Sequence, residues 1–201
     1  ILEVEATAGG HIVPNNATLG GKTTDATRYI HIRPATGHGH YGAWNTAKAM
    51  LNLTADTATA CLQTNTHTAK ITGLQLNCAL NGSTNVSGIG AWPIGGGTTQ
   101  LSENLIKGTT TSGGTAFLVW VSTLSSGGTV ILRNNVIFGL YLVANPGYLD
   151  YVGVRQNAVT LFADNNTVVN CGTCWRQSAG TATARNNIAK PASGGVGFEA
   201  A

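Results

Sequence analysis

The residues that could do chemistry are few and scattered. The 201-residue chain holds 8 Asp+Glu and 11 Lys+Arg, so paired carboxylates of the kind that cleave glycosidic bonds are scarce. Asp150, in the stretch Asn145-Pro146-Gly147-Tyr148-Leu149-Asp150-Tyr151 with Arg155 close behind, offers an acid beside a cation and is the catalytic candidate. As a solvated loop acid it would need no further role. His38 and His40 have the His-x-His spacing that can chelate zinc, with His31 nearby, but no carboxylate or cysteine stands beside them to complete a tetrahedral set. The alternative is a glycine-rich turn, Gly37-His38-Gly39-His40, that uses its imidazoles locally. Cys171 and Cys174 are spaced as in redox motifs without the βαβ context of one, and the spacing permits a disulfide between them. Cys61 and Cys78 serve equally as a second disulfide or as buried thiols. Trp92, Tyr148 and Tyr151 could present flat rings to sugars. Nothing in these residues calls for a cofactor.

The elements that must position these groups follow from a repeat. Leu101-Ser102-Glu103-Asn104-Leu105-Ile106, Ile131-Leu132-Arg133-Asn134-Asn135-Val136-Ile137, Leu161 to Val168 around Asn165-Asn166, and Ala184 to Ala189 around Asn186-Asn187 share apolar positions about a polar corner. Ile71-Thr72-Gly73-Leu74-Gln75-Leu76 fits with glycine at the corner. Taking Gly73, Asn104, Asn135, Asn166 and Asn187 as equivalent gives steps of 31, 31, 31 and 21 residues. A short strand, a polar corner and another strand at such intervals predict a solenoid. Leu101, Leu132, Ala163 and Ala184 form one inward column and Ile106, Ile137, Val168 and Ala189 another. Asn104, Asn135, Asn166 and Asn187 would stack as an amide ladder, and Ser102, Arg133, Asp164 and Arg185 would mark register outside. A further strand per coil is expected near Ile89, Leu118, Leu140 and Cys174.

The fold class read from the repeat is an all-β solenoid of stacked coils. Tyr29 to Arg33, Ala49 to Leu53 and Ala60 to Gln63 are further strands, and Trp44 to Leu51 is the one stretch that could carry a turn or two of helix. The division expected is 1–28 as lead-in strands, 29–193 as the coils and 194–201 as a tail. Ile1 is not an initiator Met, and Ile1 to Glu5 already alternates like a strand, so the chain reads as a segment of a longer polypeptide. Phe117 to Val121 is apolar on both faces, which asks for a cover: the stretch between Leu142 and Asn166, or a neighbouring subunit.

Tyr29-Ile30-His31-Ile32-Arg33-Pro34, Gly37-His38-Gly39-His40-Tyr41-Gly42, Trp44-Asn45-Thr46-Ala47-Lys48, the Ile71 to Leu76 strand and the Asn-Asn corners together resemble the right-handed parallel β-helix proteins of the pectate-lyase-like class, in particular phage- and prophage-encoded ones, over about residues 25–190, so the fold the resemblance implies is all-β, a right-handed parallel β-helix. That class includes lyases, hydrolases, tailspikes and adhesins. Its lyases use an acid cluster for calcium and a basic residue for proton abstraction, and this sequence has no matching cluster. The resemblance therefore implies a virion surface protein: a tail fibre, spike or capsid decoration that contacts neighbouring subunits or host glycans. A trimer is common among spikes of this fold, and a homo-oligomer is expected. A polysaccharide lyase or hydrolase, and a cell-surface adhesin or filament subunit, are the alternatives. Either setting is extracellular or on the virion surface.

Composition agrees with this reading. Only 9% of residues are charged and the net charge is +3, spread along the chain, so the basic footprint of a nucleic-acid binder is missing. The longest apolar runs, Ala116 to Val121 and Val136 to Ala144, are far below the roughly 18 residues that span a bilayer as a helix. Thr, Asn and 27 Gly supply the polarity instead.

Overall fold

The computed structural model describes residues 1–7, 10–13, 17–20, 24–55, 60–66, 68–81, 85–111, 114–122, 127–141 and 150–200. The chain is a right-handed parallel β-helix, in which each coil gives one strand to each of three seven-stranded sheets. Sheet A contains β1 (Leu2–Val4), β4 (Ile30–Pro34), β7 (Thr68–Thr72), β10 (Thr98–Ser102), β13 (Thr129–Arg133), β16 (Val159–Asp164) and β19 (Gly180–Arg185). Sheet B contains β2 (His11–Val13), β5 (Met50–Ala55), β8 (Gln75–Leu80), β11 (Leu105–Thr109), β14 (Val136–Phe138), β17 (Thr167–Val169) and β20 (Ile188–Lys190). Sheet C contains β3 (Ala17–Thr18), β6 (Leu62–Gln63), β9 (Val86–Ala91), β12 (Ala116–Val121), β15 (Tyr151–Gln156), β18 (Thr173–Gln177) and β21 (Val196–Ala200).

Strand alternation sends one face of each sheet inward. Ile32, Ile71, Leu101, Leu132, Ala163 and Ala184 are register partners in sheet A, and Leu76, Ile106, Ile137, Val168 and Ala189 in sheet B. Most are fully buried; burying a Leu or Ile side chain contributes about 1.5–3 kcal/mol. The outer column of sheet A runs Glu3, Arg33, then Ser102, Arg133, Asp164 and Arg185 farther along. Arg33 reaches Glu3 at 2.8 Å and Arg133 reaches Asp164 at 3.3 Å, exposed pairs that mark register more than they stabilise.

The corner between sheets A and B contains two adjacent columns. Gly73, Glu103, Asn134, Asn165 and Asn186 all have positive φ, 69°, 60°, 55°, 55° and 52°, the left-handed conformation that reverses the chain and that Gly and Asn tolerate best. The next residue of each coil turns inward. Because Gln75 pairs with Leu105, Leu74 is the partner of Asn104, and Gly73 belongs to the left-handed column. The expected equivalence of Gly73 with Asn104 was therefore one residue out; an Asn-Asn doublet fills both columns, which hides the offset.

Three other expectations change. The residues from Trp44 to Leu51 form no helix: Lys48 N–H bonds to the Asn45 carbonyl and Ala47 N–H to the Asn45 side chain, a local turn, and β5 starts at Met50. The sheet-C strand that follows β12 is β15, not a strand at Leu140, and the stretch proposed as a cover itself contributes β15 and β16. The strands of the lead-in and of the tail join the same three sheets. β1, β2 and β3 pair in parallel with β4, β5 and β6, and β21 pairs with β18.

Sheet C departs from simple alternation. Leu118 and Val119 both join the core, and the pairing of β12 with β9 and β15 skips Leu118. A side chain added at Gly153 would point at Val168 and Cys171, so β15 makes the same double inward step. Phe117 and Val152 face outward yet are fully buried within the single chain. The cover that Phe117 to Val121 asks for is therefore supplied without a neighbouring subunit.

Candidate functional site

Among the described residues, two clusters of chemistry-bearing side chains bear on the candidates named above. The first is the outer face of sheet C, where the column Trp120, Arg155, Arg176, Glu199 runs across β12, β15, β18 and β21. Arg176 donates from Nε to Glu199 Oε2 at 2.7 Å and from Nη1 to Asp150 Oδ1 at 3.1 Å. Burial works to lower the Arg176 pKa, and these hydrogen bonds to Glu199 and Asp150 more than offset it. Arg155 lies with its guanidinium 4.7 Å from the Phe117 ring centre and 5.6 Å from that of Trp120, a cation–π arrangement. Burial first, then the charge of Arg176, pull its pKa down, while Asp150 acts the other way.

The structure thus brings Asp150 and Arg155 into one cluster but gives Asp150 to Arg176. A general acid needs a carboxyl held protonated by an apolar pocket. Asp150 and Glu199 are partly exposed and hydrogen-bonded to a shared cation, an ion triad that ties the last coils together. Sequence reading missed Arg176 and Glu199 because β18 and β21 meet only through the coil register.

The ring candidates fare unequally. Tyr151 is fully buried in the core and cannot meet a sugar: β15 begins on an inward position. Trp92 is 7% exposed and packs edge-on against Trp120 at 5.5 Å. Tyr148 lies outside the described residues.

All four cysteines are buried and none is in a disulfide, so the expected Cys171–Cys174 link is absent. Each thiol instead faces the interior, Cys174 Sγ 3.3 Å from the Val168 carbonyl and Cys171 Sγ 3.6 Å from that of Val169. Burial pushes Cys171 up to about 12 and Cys174 to about 11, and raises Cys78 strongly. A thiolate-selective disulfide reagent at pH 8 is accordingly expected to find no fast-reacting group in the folded protein and four after unfolding in guanidinium. Two titratable thiols in the unfolded chain would reinstate a disulfide.

The second place is the asparagine corner, where residues 35–48 leave the coil after Pro34 and return at Ala49. The loop is fastened at several points. His38 Nδ1 accepts from Ala6 N–H at 2.7 Å. His40 Nδ1 accepts from Gly42 N–H at 2.9 Å, which fixes its other nitrogen as the donor to the Glu103 carbonyl at 2.8 Å. Fully buried Gln75 accepts from Asn45 N–H through Oε1 and donates from Nε2 to the Asn45 carbonyl at 2.7 Å. Trp44 meets Phe138 edge-on at 5.8 Å, with Lys107 Nζ 5.6 Å from its ring centre.

His38 and His40 therefore fasten a loop rather than converge on an ion. His31 is separately engaged with Thr72 Oγ1 at 2.8 Å, and among the described residues no group of three or more His, Cys, Asp and Glu side chains is placed to hold a metal. Below the loop, Asn104, Asn135, Asn166 and Asn187 form a ladder. Each Nδ2 of the first three donates to the next Oδ1, at 3.1, 2.9 and 3.0 Å.

Between loop and corner lies an open groove of about 470 Å³, lined by Pro34, His40, Tyr41, Glu103, Asn134 and Val136 among others. It combines an apolar floor with a carboxylate, an amide and a phenol ring, groups that bind and orient a ligand. No model of a known family, no curated protein and no solved structure matches this chain.

Proposed function

We propose that this β-helix is a structural and adhesive part of a surface assembly, with the virion as its setting: a fibre, spike or capsid decoration that packs against other subunits and touches host glycans. The observation that carries the reading is the union of a stiff scaffold with a fastened loop. Three continuous parallel ladders and a buried, mutually satisfied Asn ladder favour a rod that resists local opening. Residues 35–48 are tied to that rod at Ala6, Gln75 and Glu103, so the surface they build is pre-organised.

The partners in this reading are further copies of the chain and other surface subunits. Phe162 is 40% exposed on the outer face of sheet A, in register with Ile131, and this apolar pair supports lateral self-association, with a trimer as the expected form. Light scattering on the purified chain tests this, and a strictly monomeric protein at high micromolar concentration would remove the oligomer. Incubation with acidic polysaccharides tests the adhesive reading against catalysis. No release of reducing ends or unsaturated products is expected, and clear turnover would replace this reading with a glycan-cleaving enzyme.

A further inference from the structure

We infer that the groove between residues 35–48 and the asparagine corner is a binding site for a neutral saccharide unit of a glycan, an assignment that rests on the adhesive reading above. The corner column itself points there. Three of its five positions are Asn and one is Gly; of the three that line the groove, Gly73, Glu103 and Asn134, only Glu103 departs from those two residue types, and it is held at φ 60°. A glutamate gains nothing from that conformation, which costs a side chain roughly 1–2 kcal/mol; strain of this kind collects at ligand sites. Across the groove, Tyr41 is a second residue of unfavourable type, at φ 51°. The residue is 80% exposed, and Lys48 Nζ, anchored on the Gly37 carbonyl, lies 5.2 Å from its ring centre.

The groups on offer select the ligand class. Glu103 is exposed and, among the described residues, its carboxylate has no hydrogen-bond or ion-pair partner, so it can accept hydrogen bonds from hydroxyl groups. Asn134 receives Asn165 Nδ2 on its Oδ1 at 3.3 Å, which leaves its own Nδ2 to donate. Leu105, Val136 and Pro34 give an apolar floor for C–H faces, and the Tyr41 ring a second such surface. A carboxylate on one side repels an anionic sugar, and the Lys48 ammonium on the other repels a cation. A neutral, hydroxyl-rich ring satisfies both. About 470 Å³ falls within the range of small-ligand sites, roughly 300–1,000 Å³.

The test uses the intact chain with two probe sets, neutral oligosaccharides (gluco-, manno- and N-acetylglucosamine oligomers) and oligogalacturonates, read by calorimetry and ligand-observed NMR. A neutral oligosaccharide is expected to bind at least about tenfold more tightly than any uronate. E103N puts the favoured residue type back in the left-handed column beside Asn134. It is expected to raise the melting temperature by about 2 °C while weakening saccharide binding by about tenfold, the loss of a charge-assisted hydrogen bond. Y41A is expected to weaken binding similarly. If a saccharide binds and both variants bind it like the parent, the groove is excluded and the adhesive reading stands. Preference for uronates also overturns the assignment. If nothing in either set binds at millimolar concentration, groove and glycan adhesion fall together, and the oligomer measurement alone decides the structural role.

Discussion

Replacing Asn135 by alanine is expected to lower the unfolding free energy by about 4 kcal/mol. Its Oδ1 accepts from Asn104 N–H at 3.0 Å and from Asn104 Nδ2 at 3.1 Å, and its Nδ2 donates to the Leu101 carbonyl and to Asn166 Oδ1, each at 2.9 Å. All four bonds lie where water does not reach, since Asn135 is 1% exposed and Asn104 and Asn166 are fully buried. The alanine leaves buried donors and acceptors without partners, and each such group costs roughly 1–3 kcal/mol. Asn187, at the half-buried end of the ladder, accepts from Asn166 N–H at 2.8 Å and donates to the Ala163 carbonyl at 2.7 Å. Water can replace part of that set, so N187A should cost about 1 kcal/mol. Urea unfolding of the two variants checks the gradient. Equal losses, or less than about 1 kcal/mol for N135A, would mean that the ladder follows the fold without supporting it.

A loss of similar size, about 4 kcal/mol, is expected for Leu118→Ala. The cost of a large-to-small change depends on how far the surroundings can collapse into the space, and here they cannot. Leu118 stands between Gly88 and Gly153 along the double inward step of sheet C and reaches over Gly108, where an added Cβ would lie 2.5 Å from Leu118 Cδ2. Glycines have no side chain to swing into the cavity. The same contact predicts coupling. Gly108→Ala should destabilise the parent, because its methyl meets Leu118 and, at 3.0 Å, Leu140 Cβ. In the Leu118→Ala background the methyl has space and should cost less. A double-mutant cycle is expected to give an interaction of about 1 kcal/mol or more in the favourable direction; strict additivity would sink this account of the packing.

How much of this was legible in the sequence varies by sheet. Sheets A and B were the easier part. Their inner columns repeat the same residue class at each coil, and the amide ladder requires the same residue, so Asn104, Asn135, Asn166 and Asn187 betray the coils despite loops of different length. The offset at Gly73 was not legible, because the left-handed residue and the ladder residue are neighbours and Asn suits both. Sheet C misled for a physical reason. Two consecutive inward residues, Leu118 and Val119, break the period of two, so part of what reads as apolar on both faces is a strand that turns the same face inward twice. The thiols read as a bridge because spacing along the chain says nothing about where each sulfur points.

The candidate site divides the same way. Its ingredients, His38, His40, Tyr41 and Glu103, stand in the sequence with nothing to join them. Glu103 could be seen only as a coil lacking the first Asn of its doublet, and His38 and His40 as a pair with zinc spacing. The contacts that give these residues meaning span long separations: His38 to Ala6, His40 to Glu103, Asn45 to Gln75. The sequence by itself determined the solenoid, since coil stacking rests on like residues meeting like residues in neighbouring coils, and such repetition can be read without knowing the fold. Only the tertiary structure decided that residues 35–48 fold back over the corner, that a strained carboxylate faces a strained tyrosine across a groove, and that Asp150 belongs to Arg176. Those contacts occur once each, between residues far apart in the chain, and no period announces them.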